Sequence, residues 1–283
     1  MFFSYYLCIF AQKQKAMKYS IITINYNNVE GLSQTIKSIV SQTFIDYEFI
    51  IIDGGSTDGS VELIKQYTAN ITYWVSEKDN GIYNAMNKGI IHAQGEYCIF
   101  MNSGDYFYDD NVLKQINVIN AEEDVIVGKV SINRSGMIMS PPPIRELSLY
   151  HLYSGAIPHQ GAFIRTSLLK KYPYDESLRI AADWKFFVQT LILNNCSIRY
   201  LDEYIAIYDI NGISSTSQDL MQEEKNNYLS SIFPPRVLAD YKHMKASECK
   251  TQLLTPLLRK SYTIDRILYS IGTMLLKLKQ WIK

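Results

Sequence analysis

Four aspartates, Asp53, Asp79, Asp105 and Asp183, stand where polar turns meet apolar runs, and carboxylates in such places can hold a nucleotide, a divalent cation or a proton in transit. Asp53 is the most informative. The run Phe49-Ile50-Ile51-Ile52 ends in Asp53-Gly54-Gly55-Ser56-Thr57-Asp58, so a buried strand stops at a carboxylate followed by two glycines. That puts an acceptor at the carboxyl edge of a sheet, where open α/β folds take their ligands. Asp53 is therefore a candidate nucleotide contact, although Asp53 and Ser56 would equally serve as caps for a helix starting near Ser60.

Asp79 begins the loop before a helical segment and can hold a base or ribose, or cap that segment. Asp105 ends Asn102-Ser103-Gly104-Asp105 after another apolar strand. A solitary carboxylate there can bind Mg²⁺ or Mn²⁺ when a diphosphate supplies the other oxygens, or it can simply close a turn. Asp183 follows Ile180-Ala181-Ala182 at the start of an amphipathic helix, where it is a candidate general base and also favourable to the helix dipole. His159, in Pro158-His159-Gln160-Gly161, can contact an acceptor or phosphate, or be a satisfied loop histidine. His92 reads as structural, and Lys78 and Lys88 as solvated cations.

The elements that must carry these groups alternate strand and helix from Tyr19 onward, as a largely parallel sheet requires. Strands are expected over Ser20–Ile24, Tyr47–Ile52, Ile71–Ser76 and Tyr97–Met101, with helices over Gly31–Val40, Val61–Thr68 and Gly81–Ala93. Further on the alternation weakens. Val125–Val130 reads as a strand, Pro141–Pro143 as an extended loop, Arg145–Tyr153 as a short helix, and Ala162–Arg165 as a strand. Asp183–Leu193 reads as a helix, Cys196–Ile210 as one or two strands, and Ser214–Ser217 as a polar loop of the kind that acts as a lid.

Lys and Arg together number 28, as do Asp and Glu, a balance that argues against a nucleic-acid footprint. Cys8, Cys98, Cys196 and Cys249 lie far apart without a Cys-x-x-Cys pair, which disfavours a zinc site and a disulfide framework and fits reduced thiols in a cytoplasmic protein. Phe2 to Phe10 is too short to span a bilayer, and Lys13 and Lys15 follow it instead of preceding it, so Met17 is the expected natural start. In the tail, Ile264, Leu268, Ile271, Leu275, Leu278 and Ile282 recur at steps of four and three beside Arg266, Lys277 and Lys279. That pattern fits a helix resting on an anionic membrane through residues 250–283, one packed on its own domain, or one joining a homo-oligomer.

Residues 17 to about 220 resemble a family 2 glycosyltransferase with the GT-A fold, similar to enzymes that build bacterial surface polysaccharides. The matching segments are Ser20 to Asn27, Asp53 to Gly59, Glu77-x-Asp79-x-Gly81-Ile82-Tyr83-x-Ala85-Met86-Asn87-x-Gly89, Gly95-Glu96-Tyr97, Asn102 to Asp105 and Ala182-Asp183-Trp184. The resemblance implies a Rossmann-like mixed α/β sheet flanked by helices, with a C-terminal helical extension. It divides the chain into a leader at 1–16, a GT-A domain at 17–220 and an extension at 221–283. Within the GT-A domain, 17–110 form the nucleotide-sugar half and 111–220 the acceptor half.

Sugar transfer from a nucleotide diphosphate needs a clamp for the nucleoside, a cation for the leaving diphosphate and a base for the acceptor hydroxyl. The resemblance implies that Asp53 accepts from the nucleobase, within a donor-binding set of Asn25, Tyr26, Asn27, Gly54, Asp79, Gly81, Asn87, Ser103 and Gly104. It further implies Asp105 as ligand to Mg²⁺ or Mn²⁺, Asp183 as base of an inverting single displacement, and His159, Gln160 and Trp184 as acceptor contacts. Where the family commonly has Asp-x-Asp-Asp, only the last carboxylate stands here. The expected donor is a UDP-sugar and the acceptor a glycan or lipid-linked glycan, with a non-catalytic nucleotide- or glycan-binding relative as the alternative. Asn25-Tyr26-Asn27-Asn28 replaces the Gly-x-Gly-x-x-Gly of a Rossmann dehydrogenase, and the basic Gly-rich loop of a nucleotidyltransferase is missing.

Overall fold

Isoleucine-rich runs bounded by Gly, Asn and Asp form the centre of the molecule. The computed structural model describes residues 17–134, 137–140, 147–209, 217–259 and 269–274. Strand β1 (Tyr19–Asn25) is followed by α1 (Val29–Val40), β2 (Tyr47–Asp53), α2 (Ser60–Gln66), β3 (Tyr73–Ser76), α3 (Ile82–His92) and β4 (Tyr97–Phe100). β1 is parallel to β2 and β4, and β2 is parallel to β3. Such pairing needs crossover connections, which the three helices supply.

The second half departs from this regularity. It contains β5 (Tyr106–Phe107), α4 (Val112–Ile119), β6 (Val125–Arg134), β7 (Met137–Met139), α5 (Leu149–Ser154), β8 (Ala162–Arg165), α6 (Thr166–Lys171), α7 (Ala182–Phe187) and β9 (Ile198–Asp209). The described strands join in the order β3-β2-β1-β4-β8-β6-β9-β5, with β7 beside β6. β8 runs antiparallel to both β4 and β6, so the sheet is mixed. Buried Ile21, Phe49, Ile51, Tyr97, Ile99 and Phe163 pack with Leu32, Ile36 and Ile39 of α1. On α3, a Cβ at Gly89 would lie 2.5 Å from Ile22 Cγ2, so only glycine lets this helix approach β1 so closely.

The expected strands and helices of the first half are present, with boundaries moved by one or two residues. Val125–Val130 extends to Arg134, because its pairing with β9 continues from Val125 to Asn133 past an irregularity near Lys129. The expected helix over Arg145–Tyr153 is described only from Leu149, and it ends at Ser154. The helix expected over Asp183–Leu193 is α-helical to Phe187 and then π-helical from Val188 to Leu193. The leader, Pro141–Pro143, most of the Ser214–Ser217 loop and most of the tail repeat lie outside the described residues.

The chain divides into two compact units, 1–228 and 229–283. Helix α8 (Gln218–Ile232) contains that boundary, and α9 (Pro235–Arg259) belongs to the second unit. Among the described residues no helix is long and apolar enough to cross a membrane.

Candidate active site

The in-register pairing of β1, β2 and β3 brings Asn25, Asp53 and Ser76 side by side at their carboxyl ends. Asp53 is fully buried and is the hub of this edge. Its Oδ1 accepts from Asn25 Nδ2 at 2.7 Å and Ser56 Oγ at 2.6 Å. Its Oδ2 accepts from Ser76 Oγ at 2.6 Å, Ser56 N at 2.9 Å and Gly55 N at 3.2 Å. Burial opposes the charge, but the bonds from Ser56, Ser76 and Asn25 outweigh it and hold the carboxyl below its ordinary range.

Gly54 marks the open part of the same edge. A Cβ there would fall 2.6 Å from Asp79 Oδ2 and 3.2 Å from Tyr26 Cδ2, so the missing side chain makes room for the Asp79 carboxylate. Asp79 Oδ1 accepts from Gly81 N at 2.9 Å and shapes the turn into α3, whose N-cap is Gly81 at φ 115°. The Tyr26 ring is 66% exposed beside them. Asn27 has φ 48°, and its side chain accepts from Thr57 N at 2.8 Å. A flat, solvent-facing ring next to a carboxylate is suited to a planar base with an N–H on its edge.

The end of β4 supplies a second cluster. Thr35 of α1 ties down the turn, its hydroxyl donating to the Asp105 carbonyl at 2.6 Å and accepting from Gly104 N at 3.0 Å. Gly104 has φ 105°, which a side-chain-bearing residue rarely adopts. Ser103 Oγ accepts from Asn28 Nδ2 at 3.0 Å. Asp105 is 7% exposed, and no three His, Cys, Asp or Glu side chains gather into a metal cluster among the described residues. The buried Asn102 Oδ1 has no hydrogen-bond partner. One carboxylate plus one orphaned amide oxygen is a donor set that fits a hard divalent cation completed by phosphate oxygens.

Asn102 links this turn to the third cluster. Its Nδ2 lies 3.2 Å from His159 Nε2, and His159 Nδ1 lies 3.2 Å from Asp183 Oδ2. The Tyr83 hydroxyl, carried by the first turn of α3, shares its one proton between the Ile180 carbonyl at 2.5 Å and Asp183 Oδ1 at 2.9 Å. A carboxylate only accepts, so His159 carries a proton on Nδ1. Burial works against the Asp183 charge, but the contacts with His159 and Tyr83 prevail and hold its carboxyl below the ordinary value. Burial opposes the His159 charge too, and Asp183 outweighs it, so the imidazole is raised. Burial and then Asp183 drive the Tyr83 phenol far up, leaving it a permanent donor. The Asp183 side chain keeps 21% exposure. Beside Tyr83 a cleft of about 350 Å³ is lined by Gly81, Asn84, Arg179, Ile180 and Leu220.

The family model for glycosyl transferase family 2 matches residues 20–169. An uncharacterized glycosyltransferase of Mycobacterium tuberculosis is 33% identical over 206 residues, covering 69% of this chain and 76% of the relative. The chain belongs to glycosyltransferase family 2. A PGL/p-HBAD biosynthesis glycosyltransferase of Mycobacterium bovis is 28% identical over 216 residues, covering 72% of this family 2 chain and 82% of the relative. Among solved structures, S. aureus TarS 1–349 in complex with UDP-GlcNAc superposes with a TM-score of 0.60 at 22% identity, over 71% of this chain and 61% of that 1–349 chain. The mannosyltransferase PcManGT from Pyrobaculum calidifontis, in complex with GDP-Man and Mn²⁺, superposes with a TM-score of 0.57 at 13% identity, over 99% and 90% of the two chains. The fold is therefore GT-A, a mixed sheet flanked by helices.

Within this family 2 fold several expected contacts need correction. Asp53, expected to accept from a nucleobase, already accepts five internal hydrogen bonds against the about four lone-pair sites of a carboxylate, so a base would have to displace one of those donors. Asn87 is not turned to a donor: its Nδ2 donates to the Tyr174 carbonyl and to Glu176 Oε1, both at 2.8 Å, and its Oδ1 accepts from Tyr174 N. Trp184 is 2% exposed, its Nε1 donating to the Leu152 carbonyl at 2.7 Å, so an acceptor cannot stack on it. His159 faces Asp183, while Gln160 is half-buried in the adjoining turn. Tyr83 and Asn102 are members of the site that motif reading quoted without assigning a role. Both stand next to Asp183 or His159 only after the chain has folded.

Proposed function

We propose that this family 2 glycosyltransferase moves a sugar from a nucleotide diphosphate, with UDP as the expected carrier, to a hydroxyl of a glycan or lipid-linked glycan, inverting the anomeric centre. The observation that carries the reading is Asp183, ionised between His159 and Tyr83 yet partly open to solvent. Supporting it, Asp79 Oδ2 stands over Gly54 beside the exposed Tyr26, a pairing suited to hold a base by its edge and its face. In this assignment Asp79 takes the nucleobase contact expected of Asp53, which instead stiffens the edge beneath it.

Asp105, with Asn102 Oδ1, would hold a divalent cation such as Mg²⁺ or Mn²⁺, which when bound neutralises charge developing on the departing diphosphate. Asp183 accepts the acceptor's proton as the hydroxyl oxygen forms the new glycosidic bond and the bond to the diphosphate breaks. Attack from the face opposite the leaving group inverts the configuration. The TarS complex with UDP-GlcNAc supports a UDP-linked donor, and PcManGT with GDP-Man makes a guanosine carrier the rival to test.

Calorimetry and thermal shift with UDP, GDP, dTDP and CMP, each with and without Mn²⁺, test the donor half of this reading. One diphosphate is expected to stabilise the protein in the presence of Mn²⁺, by about 2.7 kcal/mol at a hundredfold excess over its Kd. Asp105→Ala should abolish the Mn²⁺ dependence of that nucleotide response. No response to any nucleotide would favour a non-catalytic relative instead.

A further inference from the structure

Helix α8 lies well beyond the residues that the family model matches, and no motif marks it. Yet Glu224 on this helix is only 8% exposed. Its carboxylate accepts from the backbone N–H of Arg179 at 2.7 Å, Ile180 at 3.1 Å and Ala181 at 2.9 Å. Those peptides directly precede α7, whose first turn carries Asp183. Amides at a helix entrance lack partners within the helix, and a carboxylate is their natural complement. The Ile180 peptide is held from both ends, by Glu224 at its N–H and by Tyr83 at its carbonyl, and Tyr83 shares that same proton with Asp183.

The next residue grips the other side of the pair. Lys225 Nζ donates to the Gly155 carbonyl at 2.9 Å, four residues before His159, and lies 4.9 Å from the centre of the Trp184 ring. One turn of α8 therefore fastens the segment leading to Asp183 and the segment leading to His159. His159 and Asp183 are 24 residues apart in the chain, and α8 bonds to the backbone leading into each of them beside their 3.2 Å contact.

We propose that Glu224, with Lys225 beside it, is a positioning residue that sets the His159–Asp183 contact and thereby the aim of the base. The catalytic consequence rests on the reading of Asp183 as base; the bracing itself does not. The chain has four histidines, so ¹⁵N-histidine labelling of the full-length protein yields a countable set of imidazole signals, with His159 assigned by its loss in His159→Gln. In Glu224→Gln, which keeps the size of the side chain but removes its charge, the His159 Nδ1–H signal should shift or broaden. Turnover of UDP-GlcNAc should fall at least tenfold, while the Kd for UDP with Mn²⁺ stays within about threefold of wild type. The exposed neighbour variant Glu223→Gln should change none of these. Should Glu224→Gln fail to fold, Glu224→Asp is read by the same signals. Wild-type His159 signals and turnover in a folded Glu224 variant would overturn the proposal. A His159 signal that moves in Glu224→Gln, when the wild-type protein itself turns over no nucleotide sugar, would uphold the brace and sink the reading of Asp183 as base.

Discussion

Asp53 and Gly54 are neighbours with separate tasks, and substitution should separate them. Asp53→Asn places an amide among hydroxyl and backbone donors, leaving buried N–H groups opposed or unpaired at a cost of about 1–3 kcal/mol. Thermal melts should therefore show lower stability, and nucleotide binding should weaken along with it. Gly54→Ala introduces a methyl 2.6 Å from Asp79 Oδ2, the movable tip of a side chain. The carboxylate can swing aside, so the melting temperature should hold while the calorimetric affinity for the preferred nucleotide falls at least tenfold. Equal loss of stability in both variants would contradict this division. The residue types of both positions were legible from the sequence, but their roles were not. Whether a carboxylate is saturated or available depends on hydroxyls such as that of Ser76, which lies 23 positions further along the chain.

At the scale of elements, the segment between α6 and α7 is tied to α3. Asn87 of α3 holds the Tyr174 backbone at both its N–H and its carbonyl, and Glu176 accepts from Asn84 and Asn87. Asp175 closes the other side through Lys185 Nζ at 2.5 Å and the Ser177 hydroxyl at 2.6 Å. The Lys185 and Ser177 hydrogen bonds bring the Asp175 carboxyl from 3.8 down to about 2. A depressed carboxylate contributes stability that is complete above its unfolded value and is lost as pH falls through the folded one. Acid titration followed by circular dichroism should therefore show wild type losing its advantage over Asp175→Asn between roughly pH 4 and pH 2. An unchanging gap between the two proteins across that interval would dismiss the ion pair as a contributor. Local periodicity announced α3 well, since Ile82, Met86 and Ile90 recur every four residues. It could not announce the change to π-helical geometry at Val188, where the backbone bonds shift without any break in the apolar pattern.

For the whole molecule, order along the chain and order in the sheet diverge after β4. β8 enters between β4 and β6, and β5 reaches the opposite edge by pairing with β9. The tail pattern from Ile264 to Ile282 falls mostly outside the described residues, and its proposed membrane contact stands on the amphipathic spacing alone. By itself the sequence determined the family, the parallel half of the sheet and the four carboxylates worth testing, because buried strands and their terminal turns leave marks within a few adjacent residues. Only the tertiary structure decided that Asp53 is saturated, that Trp184 and Asn87 are structural, and that Tyr83, Asn102 and Glu224 gather around the His159–Asp183 pair. Hydrogen-bond partners separated by tens of residues leave no local periodicity, and they become visible only when packing brings their elements together.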